Sequence, residues 1–406
     1  MADIRSYIKE KEKREKREKK QADYKEKIAR HKMAAVYRIL LILVILIAFA
    51  AFLVIQYKRR VYVDYDIVAM TEREATNGAT DVRLGNSILT YSKDGAHCTD
   101  AKGSVQWNQT FEIQDVILAV SNDTVAIGEY NGRSIYLADS ERLIGEITTA
   151  MPIRNLAVSE AGYVAAVLAD TDVTWINVYD SSGELKWEGR THMDDSGYPM
   201  ALSMSPGGEL LMVAYIYVDA GILRTKVGVY NLGAVGSDVS DRLVSTYAYT
   251  DMLIPCVRFL NDDTAFAVGD GRLSIYTGSH IPVEASGHLY DREIRSVFYS
   301  DRYVGLVFLA DNSENRYQLK VYDTTVADAG GAGGKDFYFD IDYTDIFFGK
   351  DNFVIYNDTE CLVMTMDGIE KFHGDFRETV RLMVPAGNAY RYLLVTDDSI
   401  NTIQLK

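Results

Sequence analysis

The chain has 406 residues, 48% hydrophobic and 25% charged, with 43 Lys and Arg against 58 Asp and Glu, for a formal net charge of −15. That apolar fraction excludes wholesale disorder, and the length exceeds what one small domain needs. Cys98, Cys256 and Cys361 are far apart and form no CxxC. This argues against a disulfide framework or a structural zinc site and predicts single buried thiols.

Charge divides the chain before any motif does. Residues 1–33 carry 13 Lys and Arg and 7 Asp and Glu, and residues 34–60 add four bases and no acid. Residues 61–406 hold 26 bases and 51 acids, a net charge of −25. Nucleic-acid phosphates need clustered Lys and Arg, so the acidic body excludes such a partner and no nucleic acid is expected. In the head, Glu10–Arg14, Glu12–Lys16 and Glu15–Lys19 are i,i+4 pairs in the favourable order, with no Pro or Gly between them. A solvated helical tail over residues 1–33 is expected, with contact to anionic lipid as its functional reading.

Ile39 to Ile55 is apolar without interruption. With its flanks it predicts a membrane-spanning helix over residues 34–57, since about 20 residues cross the hydrocarbon core. Arg38 lies near one end, where it can snorkel to the headgroups. Ala48-Phe49-Ala50 has small residues at cleavage-site spacing, but 38 residues precede the run and Phe52-Leu53-Val54-Ile55 continues it. An uncleaved signal anchor is therefore expected. Lys20, Lys25, Lys27, Arg30, Lys32 and Arg38 outnumber Lys58, Arg59 and Arg60 across the span. This predicts a cytoplasmic N-terminus, a single-pass plasma-membrane anchor and an extracytoplasmic domain over 61–406.

Beyond residue 80 the chain repeats. The clearest unit is Ile153–Ser159, Tyr163–Ala169, Thr174–Asp180 and Glu184–Gly189, four runs with period-two alternation rich in Val, Ile, Tyr and Trp. Its first turn recurs near Gly85-Asn86, Asn122-Asp123, Gly207-Gly208, Asp262-Asp263, Ser300-Asp301, Asp351-Asn352 and Gly387-Asn388. Gly85 to Pro385 spans 300 residues in seven steps, about 43 per repeat. Four strands at that period predict an all-β fold, a β-propeller. The last copy stops after three strands, and Val61–Val68 is an orphan strand ahead of the first. Pairing the two closes the ring and hides two edges. Eight blades are expected, or seven if the short copy at 82–109 forms none. The longest interruptions are Asp219–Thr246 and Asp323–Lys335; Gly330–Gly334 in the second reads as a flexible surface loop.

Asp100–Trp107 and Asp180–Trp187 share the spacing D-x-x-G-x-x-x-W, and Gly368 with Phe372 keeps its second half. The glycine permits the tight turn, and the aromatic can pack on the neighbouring blade. These residues resemble the tryptophan-docking repeat of quinoprotein-type (PQQ-like) propellers. The Ser205-Pro-Gly-Gly turn resembles that of WD40- and TolB-like blades. With the apolar helix, the chain is similar to an uncharacterised family of membrane-anchored bacterial propellers, a resemblance that implies the fold and carries no activity.

Candidate chemistry is sparse. A quinoprotein cofactor bed would need a vicinal Cys pair, which is lacking, and Trp107, Trp175 and Trp187 fall in strands suited to blade packing. There is no G-x-S-x-G and no H-E-x-x-H; His31, His97, His192, His280, His288 and His373 are scattered. Asp194-Asp195, Asp262-Asp263 and Asp340-x-Asp342-x-x-Asp345 read as solvated turns, since none matches a Ca²⁺ loop. Phosphate-binding loops are not found. No catalytic, cofactor-binding or metal residue is assigned, and no cofactor is expected. The 28 tyrosines, among them Tyr179, Tyr230, Tyr276 and Tyr322 at third-strand ends, suit blade packing and protein-binding surfaces. The expected function is a non-enzymatic protein-interaction scaffold of the cell envelope, drawing a basic partner to an acidic propeller face. A ligand sensor signalling through the helix to the tail, and a propeller enzyme with an axial site, are the alternatives.

Overall fold

A computed structural model describes residues 3–74, 78–169, 173–192, 196–311, 313–325, 333–387 and 390–406. The chain divides into two units, Met1–Val61 and Tyr62–Lys406. The first is one helix, Asp3–Lys58, with Lys27 and Asp23 paired at i,i+4 and 3.2 Å. Within it Val36–Leu53 is long and apolar enough, by length and composition, to cross a membrane, and none of that window is buried. The helix continues through the charged head without a break, as the lack of Pro and Gly predicts.

The second unit is an eight-bladed β-propeller of four-stranded antiparallel sheets. Blade 1 covers Thr80–Thr110, so the short copy does form a blade. Blade 2 runs from Val116 to Thr148, blade 3 from Ile153 to Thr191 and blade 4 from Tyr198 to Thr250. Blades 5, 6 and 7 cover Cys256–Leu289, Ser296–Phe339 and Asp345–Asp375. Blade 8 takes its three inner strands from Leu382–Leu405 and its outermost from Tyr65–Glu72, paired from Tyr65↔Leu405 to Glu72↔Ser399. The orphan strand thus closes the ring as expected, four residues further along than its apolar pattern suggests. Residues 62–64 precede it as extended chain, hydrogen-bonded to Lys371 and Lys406.

One apolar core fills each gap between blades. Ile135, Leu137 and Ile147 of blade 2 meet Leu156, Val164 and Leu168 of blade 3, and the pattern repeats round the ring. Second strands are covered on both faces, so they read as continuous apolar runs: Val164–Leu168, Leu210–Tyr215 and Val304–Phe308. Outer strands are covered on one face and alternate, as Leu185–Thr191 does. Third-strand tyrosines join these cores and pair their hydroxyls: Tyr230 with Tyr215 at 2.6 Å, Tyr276 with Tyr249, and Tyr322 with Tyr290. Tyr179 accepts from Asn177 at 3.1 Å.

The D-x-x-G turns work as their chemistry requires. Asp100 Oδ1 accepts from the backbone N–H of Lys102 and of Ser104, both at 2.8 Å, and Asp180 repeats this with Ser182 and Glu184. Gly103, Gly183 and Gly368 take φ of 80°, 83° and 81°, the left-handed region that glycine occupies at no steric cost. Downstream, Trp107 Nε1 donates to the carbonyl of Asp139 in blade 2 at 2.7 Å. Trp187 packs on Tyr230 of blade 4 at 5.0 Å, and Phe372 on Tyr65 of blade 8 at 6.4 Å.

The stretch Asp219–Thr246 is less of an interruption than it reads. Leu210–Asp219 and Ile222–Asn231 form a long hairpin turned by Ala220 and Gly221, and the insertion proper is the helical segment before Leu243. In the second interruption, residues 326–332 lie outside the described residues, and so does most of the expected glycine-rich loop.

The blade 8–blade 1 seam differs from the other gaps. Its apolar cluster is Ile88 against Leu382, Val384, Leu393, Val395 and Ile400. Beside it the fully buried Asp81 carboxylate takes Arg73 at 3.0 Å and Arg381 at 3.1 Å, and accepts from Thr90 Oγ1 at 2.6 Å. Arg381 also pairs with Asp397 at 3.0 Å and donates to the Ala79 carbonyl.

Candidate functional site

Strand alternation puts every first-to-second and third-to-fourth turn on one face of the ring. The first-to-second turns of blades 1 to 7 are stitched to each other in series. Gly85 N donates to Asn122 O at 2.7 Å, Thr124 Oγ1 to Glu160 O at 3.2 Å, and Ala161 N to Pro206 O at 3.0 Å. Gly207 N then donates to Asp262 Oδ1 at 2.7 Å, Asn261 Nδ2 to Asp301 O at 3.2 Å, and Tyr303 OH to Lys350 O at 3.4 Å. Glu160, Asp262, Asp263, Asp301 and Asp351 are exposed on this collar, with Asp123 half-buried. Partial burial raises the Glu160 carboxyl, and the charge of Asp123 raises it further. Arg302 is held by Asp323 at 2.6 Å, so its charge is already matched. Lys350 is an exposed cation on the same collar, and the carboxylates outnumber it, so the face is acidic on balance.

First strands line an axial channel of about 830 Å³. Arg83 of blade 1, Glu160 of blade 3, Arg258 of blade 5, Asp301 of blade 6 and Asp345 of blade 7 bring charge into it. Arg83 Nε donates to the Gly85 carbonyl at 2.8 Å, and burial lowers its guanidinium, with the Asp345 charge opposing. Arg258 donates through Nε to Tyr299 OH at 3.1 Å and through Nη1 to Leu202 O at 3.3 Å. Burial raises the Asp345 carboxyl, against the N–H of Ile346 at 2.8 Å and the hydroxyl of Tyr356 at 3.5 Å. Leu118, Val120, Met200, Val297 and Phe347 supply apolar wall.

The residues singled out in the sequence scatter. Asp340 accepts from Arg316 N, Asp342 pairs with the Arg316 side chain at 2.6 Å, and only Asp345 reaches the channel. Asp194 and Asp195 lie outside the described residues. His280 meets Glu209 at 3.0 Å, His373 meets Glu360 at 3.4 Å, and His288 packs on Tyr322. Burial and the charge of Arg73 lower the His97 imidazole. Among the described residues, no three His, Cys, Asp or Glu side chains gather as metal ligands. Cys98 and Cys361 are buried; Cys256 is half-buried and lines the channel. Arg83 and Arg258 were not singled out in the sequence. Their signal is a long cation at an otherwise apolar first-strand position, and it is legible only once blade register is known.

These features define an eight-bladed β-propeller with a stitched acidic face and an axial channel. The chain belongs to the family described as "Family of unknown function (DUF5711)", whose model matches residues 58–405. No curated protein matches it. Among solved structures it is similar to Chaetomium thermophilum Sqt1 bound to the N-terminus of the ribosomal protein L10, with 13% identity and a TM-score of 0.52 over 84% of this chain and 100% of that one. Sqt1 from the same organism in a second structure gives 12% identity and a TM-score of 0.52, over 84% and 98%. At such identity the likeness shows the fold alone.

Proposed function

We propose that this protein is a non-enzymatic interaction scaffold of the cell envelope. In this reading residues 1–33 are cytoplasmic, 34–57 cross the plasma membrane once, and the propeller over 61–406 is extracytoplasmic. The carrying observation is the stitched collar of first-to-second turns, which presents Glu160, Asp262, Asp263, Asp301 and Asp351 on a rigid face. A preorganised surface loses little freedom on binding, and its charge steers a basic protein segment. Sqt1, similar in fold, is seen bound to a segment of another protein. The repeat's kinship to tryptophan-docking propellers belongs to the same proposal, supported by the Trp107–Asp139 contact. The basic tail, in contact with anionic lipid, would reinforce the topology.

The test is in-cell crosslinking and affinity purification. The full chain is compared with a 1–33 deletion and with the reversal Asp262→Lys/Asp301→Lys. Envelope proteins retained without the tail and lost on reversal support the scaffold. Cytoplasmic proteins recovered only with the tail would favour the sensor, and turnover by the purified chain would favour the enzyme. Protease added to intact spheroplasts should digest the propeller and spare the tail; protection of the propeller overturns the topology.

A further inference from the structure

We propose that the collar-side rim of blades 4 and 5 seats a protein segment in which Leu- or Ile-like side chains stand beside Lys or Arg. The proposal rests on the scaffold reading and places its contact. Among the described residues, blade 4 alone carries a helical insertion between its third and fourth strands, Ala234–Ser237 and Ser240–Arg242. In a repeat fold, insertions in single units gather on one face, often the binding face. Val235, Val239 and Leu243 of blade 4 are 36%, 38% and 36% exposed, and Ile281 and Val283 of blade 5 are 51% and 53% exposed. Asn231 holds the two segments together. Its Nδ2 donates to the His280 carbonyl at 3.0 Å, and its Oδ1 accepts from Gly233 N at 2.9 Å and Gly236 N at 3.3 Å. Ser245 Oγ and Tyr247 OH donate to the Pro282 carbonyl at 2.7 and 3.2 Å. The five apolar side chains therefore share one sector of the rim.

An exposed apolar residue also opens the outer strand of blades 1, 2 and 3, at Val105, Leu143 and Leu185. The turns before them, residues 100–104, 140–142 and 181–184, hold no large apolar side chain. Val235, Val239 and Ile281 are what this sector adds. Single exposed apolar residues are ordinary, whereas a patch of them rimmed by polar groups marks a contact surface. The rim here is acidic. Asp238 and Asp241 are exposed in the insertion, and Asp262 and Asp263 on the adjoining collar, where Gly278 N donates to Asp263 O at 2.8 Å. Arg272 is matched by Glu284 at 2.5 Å, and His280 meets Glu209 at 3.0 Å. Arg242 is half-buried and donates to the carbonyls of Leu232 at 2.6 Å and Gly233 at 3.3 Å. Asp241 and Arg242 both take left-handed backbone, with φ of 57° and 60°, which folds Arg242 back on the insertion and leaves Asp241 in solvent. Four exposed carboxylates thus face one guanidinium already engaged by backbone. Lys or Arg of the segment meets these carboxylates at the rim, which sets orientation, and its apolar side chains cover the patch, which supplies burial.

The test uses the full chain in phosphatidylcholine nanodiscs and fluorescence anisotropy, with empty nanodiscs as the blank. The probe is a fluorescein-labelled peptide of alternating Lys and Leu. Comparison peptides replace every Leu by Ser, or every Lys by Glu. The Lys/Leu peptide should bind saturably, and both comparison peptides about tenfold more weakly or worse. Affinity should fall about tenfold in Val239→Ser/Ile281→Ser and in Asp238→Lys/Asp241→Lys, and persist in the blade 2 control Leu143→Ser. Thermal unfolding of each variant checks its fold; if one pair does not fold, the other decides. No saturable binding below ~1 mM overturns the proposal. So does equal binding of the Ser or Glu peptide, or affinity unchanged in the folded variants. The Val239→Ser/Ile281→Ser chain is also taken through in-cell crosslinking. Loss of the envelope proteins supports this seat, and their undiminished recovery overturns it while the scaffold stands. If the unaltered chain recovers none, the scaffold reading fails whatever the anisotropy shows.

Discussion

Asp81→Asn is the sharpest probe of how the ring is closed. The Asp81 side chain is wholly buried, and its two arginine partners, Arg73 and Arg381, are 11% and 23% exposed. Arg73 follows the outermost strand of blade 8, Arg381 precedes its innermost strand, and Asp81 belongs to blade 1. One carboxylate thus ties both ends of the chain's last blade to its first. The substitution keeps shape and removes charge, leaving the Arg73 guanidinium facing a neutral amide and Arg381 with Asp397 as its remaining carboxylate. Breaking a buried ion pair by removing one partner costs about 3–5 kcal/mol. Against a typical total of about 5–15 kcal/mol this is a large share of stability. Trp107, Trp175 and Trp187 all lie in the propeller, so tryptophan fluorescence of the full chain in detergent reports its urea unfolding. The midpoint should drop by the equivalent of about 3 kcal/mol or more. Arg316→Ala removes an ion pair whose partners are 55% and 64% exposed, and should cost about 1 kcal/mol or less. Proteolysis of the Asp81→Asn variant should first release the Tyr65–Glu72 strand. If Asp81→Asn and Arg316→Ala shift the midpoint alike, the clasp does not hold the seam.

Further outcomes follow from single sites. Gly103→Ala should destabilise, because φ is 80° there and a Cβ would come within 2.5 Å of Thr71 Cγ2; adding Thr71→Ala should return part of the loss in a double-mutant cycle of melting curves. Asp345→Asn should stabilise at neutral pH. The folded protein holds this proton more tightly than the unfolded chain, whose carboxyl has the ordinary value of 3.8, so ionisation disfavours the fold above that value. The gain should shrink as urea midpoints are measured from pH 7 down towards about 4, and a gain constant with pH would contradict it. The Cys98 and Cys361 thiols are pushed up to about 11 and about 12 by burial. Iodoacetamide at pH 8 should leave both unmodified in the native protein and label both in urea, as read by peptide mass spectrometry.

The sequence alone determined what depends on neighbours a few residues apart. A run of apolar residues sufficed for the membrane-length helix, and alternating patches at a steady spacing sufficed for blades. The D-x-x-G turns were legible because Asp100 and Asp180 bond backbone N–H groups two and four residues on. The tertiary structure alone decided whatever joins distant positions. The strand that closes the ring begins at Tyr65 rather than Val61, since its register is set by Ser399–Leu405 and not by its own apolar pattern. Asp340, Asp342 and Asp345 look like one cluster in sequence yet divide between Arg316 and the channel. Asp81, an unremarked acid in a short repeat, became the clasp because Arg381 lies 300 residues further along the chain. Arg83 and Arg258 share a channel because blades 1 and 5 face each other across the axis, a relation that exists only once eight similar units have closed. Local rules specify each blade, but closure is what brings residues of different blades within reach, and the chemistry of the axis and the seam arises there.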